Sequence, residues 1–147
     1  MDTLKICDRL EDMDRAVLHR FLSEEAHWQE GIGPKTLERA LENSLCIGAF
    51  NDGGQVGFAR VITDYATFAW IDDVFVDPSV RSQGVAYRLM EAIIAHPKLK
   101  SIAAWWLSSS NPDARRLFEK FGFSKPEQER LEKWMAREKV KSDAYHL

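Results

Sequence analysis

Apolar residues change their spacing along this chain, and each change marks a change of element. From Glu11 to about Ala26 the residues Met13, Val17, Leu18, Phe21 and Leu22 fall on one stripe, the signature of a helix with one buried face. A short strand from Leu4 to Cys7 precedes it. Pro34, a favourable first helical residue, opens a second helix to about Asn43 that turns Leu37, Ala40 and Leu41 inward. Two apolar segments, Ser44 to Phe50 and Gln55 to Asp64, flank Asn51-Asp52-Gly53-Gly54 and predict a hairpin. Tyr65-Ala66-Thr67 then turns the chain into a strand from Phe68 to Val76. The first half therefore predicts two helices and an antiparallel meander.

The second half keeps strands and helices in alternation. Val85 to Ala95 carries Leu89, Met90, Ile93 and Ile94 at helical spacing, and His96-Pro97 stops it. Ser101 to Leu107, with Trp105 and Trp106, reads as a buried strand. Asn111-Pro112-Asp113 supplies an N-cap, a first-turn proline and an acid, and Ala114, Leu117, Phe118 and Phe121 form the stripe of a helix that Gly122 ends. Glu127 to Lys141 is charged and helical by propensity. No internal repeat or low-complexity segment is present.

Between the strand ending at Val76 and the helix opening near Val85 lies Asp77-Pro78-Ser79-Val80-Arg81-Ser82-Gln83-Gly84. A tight strand-to-helix loop of this kind aims consecutive backbone N–H groups and the positive end of a helix dipole at one point, which suits a phosphate or pyrophosphate. Gly84 allows close approach or a positive φ, Ala86 leaves room, and Arg81 adds a charge for phosphate oxygens. The bland alternative is a glycine turn that binds nothing. The arginine and the two small residues at their spacing favour the anion cradle.

Composition narrows the class. The 147 residues are 45% hydrophobic, with five Trp and eight Phe, enough for one core, so a single domain over 1–147 with its core at about 4–138 is expected. A net charge of −3 gives no general attraction to nucleic acid, and no apolar run reaches the length of a membrane span, so neither nucleic acid nor membrane is an expected partner. The N-terminus lacks the apolar core of a signal peptide, and a cytoplasmic protein is expected. Cys7 and Cys46 lack companion ligands, so buried thiols and no metal site are expected.

Arg81-x-x-Gly84-x-Ala86, preceded by Val76-x-Pro78, resembles the acetyl-CoA pyrophosphate loop of the GNAT superfamily of N-acetyltransferases. Asn111-Pro112-Asp113-Ala114-Arg115-Arg116-Leu117-Phe118-Glu119-Lys120-Phe121-Gly122-Phe123 is similar to the second signature of that family. The resemblance implies a mixed α/β, GNAT-like fold. Its central, mostly antiparallel sheet would have about six to seven strands splayed at the coenzyme site, with four helices and a final strand around Lys133 to Arg137. It also implies acetyl-CoA as co-substrate, a small-molecule or peptide amine as acceptor, and direct attack without a covalent enzyme intermediate. A homodimer is an allowed assembly. A non-catalytic acyl-CoA-binding module of the same fold is the alternative.

Residue by residue, the resemblance implies backbone amides of Val74, Phe75 and Val76 at the thioester. Coenzyme contacts would come from Arg81, Ser82, Gln83, Gly84, Val85, Ala86, Asn111 and Phe118. The family commonly has a Tyr acid where this chain has Phe118, which cannot give a proton. Water or a serine among Ser108, Ser109 and Ser110 is then the candidate donor. Where a carboxylate base often stands, this chain has Trp70. Asp72, two residues on, shares its face, and Asp73 points to the other. Adjacent carboxylates in an apolar strand suggest catalysis or acceptor binding, or an ion pair with Arg60 on the neighbouring strand. His27, Trp28 and Glu30 lie where the family shapes its acceptor site, and an aromatic beside a carboxylate can hold an ammonium.

Overall fold

The computed structural model describes residues 3–25 and 31–139. Five strands form one sheet in the order β1 (Lys5–Cys7), β2 (Leu45–Asn51), β3 (Gly54–Thr63), β4 (Phe68–Val76) and β5 (Ala104–Trp106). The first four pair antiparallel, and β5 joins β4 in parallel. The helices are α1 (Arg15–Arg20), α2 (Pro34–Glu42), α3 (Val85–Ile94), α4 (Pro112–Glu119) and a single turn, α5 (Gln128–Leu131).

The helix expected from Glu11 begins later. Leu10–Asp12 makes a 3-10 turn, and α1 starts where Asp14 caps it by accepting from the N–H groups of Ala16 and Val17. Past Arg20 the helix widens into a π-helical turn, Phe21–Glu25. The strand expected over Ser101 to Leu107 shrinks to Ala104–Trp106, because Pro97–Leu99 forms a 3-10 turn beforehand.

Two cores lie on the two faces of the sheet. Beneath α3 and α4, Ile47, Ala59, Val61, Ile71, Leu89 and Ile93 pack together with Phe118. Beneath α1 and α2, Leu18, Phe21, Leu22, Leu37 and Leu41 pack on Phe58 and Phe75. Helix α3 presses close to β3 at Gly57, where a Cβ would stand 2.9 Å from Val85 Cγ1. A side chain there would push the helix off the sheet.

The count of strands corrects the expectation of six to seven strands with four helices: the described residues hold five strands and five α-helices. The strand expected around Lys133 to Arg137 is irregular chain after α5. The physical reason lies in the segment itself: Trp134 is drawn onto Trp106 and Trp70 while Met135 stands 98% exposed, so its apolar residues do not alternate between a core and solvent as a strand requires. The outer edge of β5 accordingly has no further strand paired to it among the described residues. No described helix is long and apolar enough to cross a membrane.

Candidate active site

Strand β4 is nine residues long, yet it pairs with β5 only from Phe68 to Trp70, opposite Ala104 to Trp106. Beyond that point the strands part. Leu107 runs into three serines without a β-former among them, and Asn111 takes the chain into α4. The fork opens a cleft of about 1180 Å³ walled by 70–76 on one side and 107–111 on the other, with the loop before α3 and the inner face of α4 at its base.

The fork leaves backbone donors aimed into the cleft. Asp77 donates its N–H to Val56 O at 2.8 Å, toward β3. Successive N–H groups of a strand alternate in direction, so Phe75 also faces β3, while the N–H groups of Val74 and Val76 point to the β5 side. The expectation of three consecutive amides thus reduces to two, because Phe75 is spent on the sheet.

At the base, Asp77 accepts from Ser79 and starts the 3-10 turn Pro78–Val80, which reverses the chain. Ser82 and Gly84 then adopt positive φ, +65° and +81°. Gly84 is the N-cap of α3 and no side chain bonds the first amides of that helix, whereas α1 and α4 are capped by Asp14 and Asn111. Those amides suit an anion, which fits the pyrophosphate of a coenzyme. Arg81 donates from Nε to Val76 O at 3.3 Å, so its guanidinium sits at the lip of the cleft. Gly84, Val85 and Ala86 border the same space. Asn111 Oδ1 accepts from Asp113 and Ala114, so its side chain serves as the cap of α4 at the edge of the cleft.

The paired carboxylates depart from the expected alternation. Between Asp72 and Phe75 the partner strand advances by two residues while β4 advances by three, a bulge that places Asp73 at φ +55°. Asp is among the few residues that tolerate this region, and Asp72 Oδ1 steadies it by accepting from the Asp73 N–H at 2.9 Å. The extra residue swings Asp73 onto the side of Asp72. Both then reach Arg60: Nε donates to Asp73 at 2.8 Å, and a terminal nitrogen lies 3.6 Å from Asp72. Arg60 also donates to Ser44 Oγ. Both line the cleft, but Asp73 is 1% exposed and Asp72 26%, so only Asp72 reaches solvent.

Phe118 is buried, belongs to the core under α3 and α4, and presents one edge to the cleft and another to Phe123. Ser108, Ser109 and Ser110 line the wall facing β4. His27, Trp28 and Glu30 lie outside the described residues. The two described histidines, His19 and His96, make structural contacts. His19 meets Ile32 O at 3.0 Å, so it is less exposed than a surface helix residue, and His96 meets Asp8 at 2.9 Å while accepting from the Lys98 N–H. That contact pulls Asp8 below the usual carboxylate range. Cys46 is buried, which pushes its thiol up to about 11, but Cys7 is half-exposed, against the expectation of two buried thiols.

Sequence reasoning missed the aromatic group beside the fork. Trp134 packs on Trp106 at 4.9 Å and on Trp70 at 6.5 Å, and Arg130 covers the Trp106 ring at 4.9 Å. The available signal was an isolated tryptophan within a charged segment.

The splayed sheet, with an uncapped helix N-terminus at the base of its fork, places the chain in the α/β class of GNAT-like folds. The Acetyltransferase (GNAT) family profile matches residues 16–123, and the chain belongs to that family. A GNAT-family protein from Xanthomonas campestris pv. campestris is 39% identical, with 92% of each chain covered and a TM-score of 0.84. The ribosomal-protein-S18-alanine N-acetyltransferase from Escherichia coli shares the fold at 23% identity and a TM-score of 0.66, with 84% of this chain and 79% of that one covered. No curated protein matches the sequence significantly.

Proposed function

We propose that the protein transfers an acetyl group from acetyl-CoA to a primary amine by direct attack of the amine. The observation that carries this reading is the fork itself: two inward amides, Val74 and Val76, above an uncapped α3 N-terminus at Gly84. Acetyl-CoA, when bound, supplies an activated thioester. The two amides answer negative charge that builds on its carbonyl oxygen, and loss of one such donor typically costs ~10²–10³ in rate. Arg81, Ser82, Gln83, Gly84, Val85 and Ala86 hold the phosphates, and the edge of Phe118 packs on the apolar arm.

The acceptor arrives as an ammonium and must lose a proton before it attacks. Asp72 is assigned that exchange, directly or through one water, because it borders the cleft and retains solvent access. Asp73 is a positioning residue that holds the bulge through Arg60. Phe118 leaves the departing thiolate without an aromatic hydroxyl, so a serine of the facing wall, Ser110 first, or water returns the proton.

One specific observation favours a second reading, a non-catalytic acyl-CoA-binding module: the aromatic at the acid position has no hydroxyl and both carboxylates contact Arg60. Calorimetry with acetyl-CoA and CoA, followed by a panel of small amines and N-terminal peptides assayed for CoA release, separates the two. Binding with amine-dependent release is the expected result. Binding without release on any amine leaves the module, and no binding removes both readings.

A further inference from the structure

The face of the sheet covered by α1 and α2 is not covered along its whole length. At the β5 end, Trp70 lies directly opposite Ile62 on β3 and beside Trp106 on β5, so the three share that face. Trp134 reaches back from the turn after α5 and closes against both tryptophans. Ile62 and Phe68 are each 39% exposed and Trp134 is 54% exposed, so this apolar shelf meets solvent. Asp72 is two residues beyond Trp70 on the same strand and face, about 7 Å away, at the mouth of the fork.

Resting on the acetyltransferase reading above, we infer that the Trp70–Trp106–Trp134 shelf binds the acceptor. We further infer that the acceptor is a primary amine carried on a flat apolar body, as in an arylalkylamine. A chain of about two carbons between ring and nitrogen spans the step from the Trp70 ring to the Asp72 carboxylate. The body stacks on tryptophan and the ammonium enters at the carboxylate, below the amides of Val74 and Val76. Charge and shape both select this class. Three indole rings favour a flat π-surface and attract cations, and Arg130 over Trp106 displays that attraction in the protein itself. A polyamine would need carboxylates spaced along the shelf, which instead carries Ile62, Phe68 and the three tryptophans, with a cation, Arg130, over Trp106.

The test is equilibrium binding, which does not require turnover. Protein saturated with CoA is titrated with phenethylamine, tryptamine, ethylamine and ethanolamine, and the five indole N–H resonances are followed by NMR after assignment by Trp→Phe variants. Phenethylamine and tryptamine should bind about tenfold or more tightly than ethylamine and shift the Trp70 and Trp134 signals. Trp134→Ala should erase most of that preference while CoA affinity stays unchanged, and Trp70→Phe should keep more of it than Trp70→Leu. Equal binding of ethylamine and phenethylamine, or a preference that survives both Trp134→Ala and Trp70→Leu, overturns the shelf. The two readings fail separately. Tight arylalkylamine binding without CoA release from acetyl-CoA removes the acetyltransferase reading alone, and rapid turnover confined to hydrophilic amines removes the shelf alone.

Discussion

Asp73→Asn isolates the charge that fixes the bulge in β4. Asn retains the size of Asp and its tolerance of positive φ, so the backbone at +55° is kept while the 2.8 Å ion pair to Arg60 loses its charge. Removing one partner of a buried pair costs about 3–5 kcal/mol because the other charge is left uncompensated. Arg60 here keeps Asp72 at 3.6 Å and Ser44, so the expected loss falls to about 2–3 kcal/mol. Asp73→Val removes the charge and also forces a β-branched residue into the left-handed region, adding about 1–2 kcal/mol. Urea unfolding of wild type, Asp73→Asn, Arg60→Met and the double variant gives the coupling, expected at about 1 kcal/mol or more. Acetyl-CoA affinity, read by calorimetry, should change less than about threefold in Asp73→Asn, whose bulge persists, and more in Asp73→Val. A loss below about 0.5 kcal/mol in Asp73→Asn, or an equal loss with and without Arg60, refutes the argument.

At the base of the cleft, Gly84→Val should weaken acetyl-CoA binding at least about tenfold, because φ +81° is strained for a β-branched residue whatever the space around it; calorimetry at unchanged fold reads it. Asp14→Ala removes the acceptor for two amides of α1 and should cost about 1 kcal/mol in urea unfolding without altering coenzyme affinity. Burial raises the Cys46 thiol from 9.0 to about 11, so native protein keeps a proton that the unfolded chain releases. Stability from this group is full below pH 9 and is lost as pH rises through 11, about 2–3 kcal/mol in all. Cys46→Ala should flatten that part of the pH profile.

The elements most legible in the sequence were those whose signal is local. Pro34 and Asn111 mark their helices because a first-turn proline and a side-chain cap act within a few residues, and Asn51-Asp52-Gly53-Gly54 marks its hairpin for the same reason. The loop before α3 was legible through chemistry: Gly84 must accept positive φ, and its position one residue before Val85 leaves the helix uncapped. The bulge was not legible, because strict alternation is the default for a strand and only the register against β3 reveals the extra residue. The segment after Phe123 was misjudged for a related reason. Its strand is expected from the family and not from its own residues, since Lys133 to Arg137 places Trp134, Met135 and Ala136 in a row with no period-two alternation. The tryptophan group could not be read either, since Trp70, Trp106 and Trp134 meet only through the parallel pairing of β5 and the turn after α5.

One residue in β4 connects the packing of the molecule to the chemistry proposed for it. Before the bulge, Ala69 and Ile71 face the core under α3 and α4; after it, Phe75 faces the opposite core and stacks on Phe21 at 4.1 Å. The same reversal turns the amides of Val74 and Val76 toward the fork and Phe75 toward β3, and it brings both carboxylates to Arg60. Flattening the bulge by a one-residue slip, with every residue kept, would restore strict alternation. Phe75 would then leave its core for the other face, and the amides at the end of β4 would exchange directions. Phe75 therefore acts as a lock: its burial against Phe21 is available only in the bulged register, so hydrophobic packing on the α1 side holds the donor amides in place on the cleft side. Arg60 adds electrostatic attraction to the same register. A strand that takes one residue more than its neighbour supplies would ordinarily slip back, and these two interactions on one face oppose the slip.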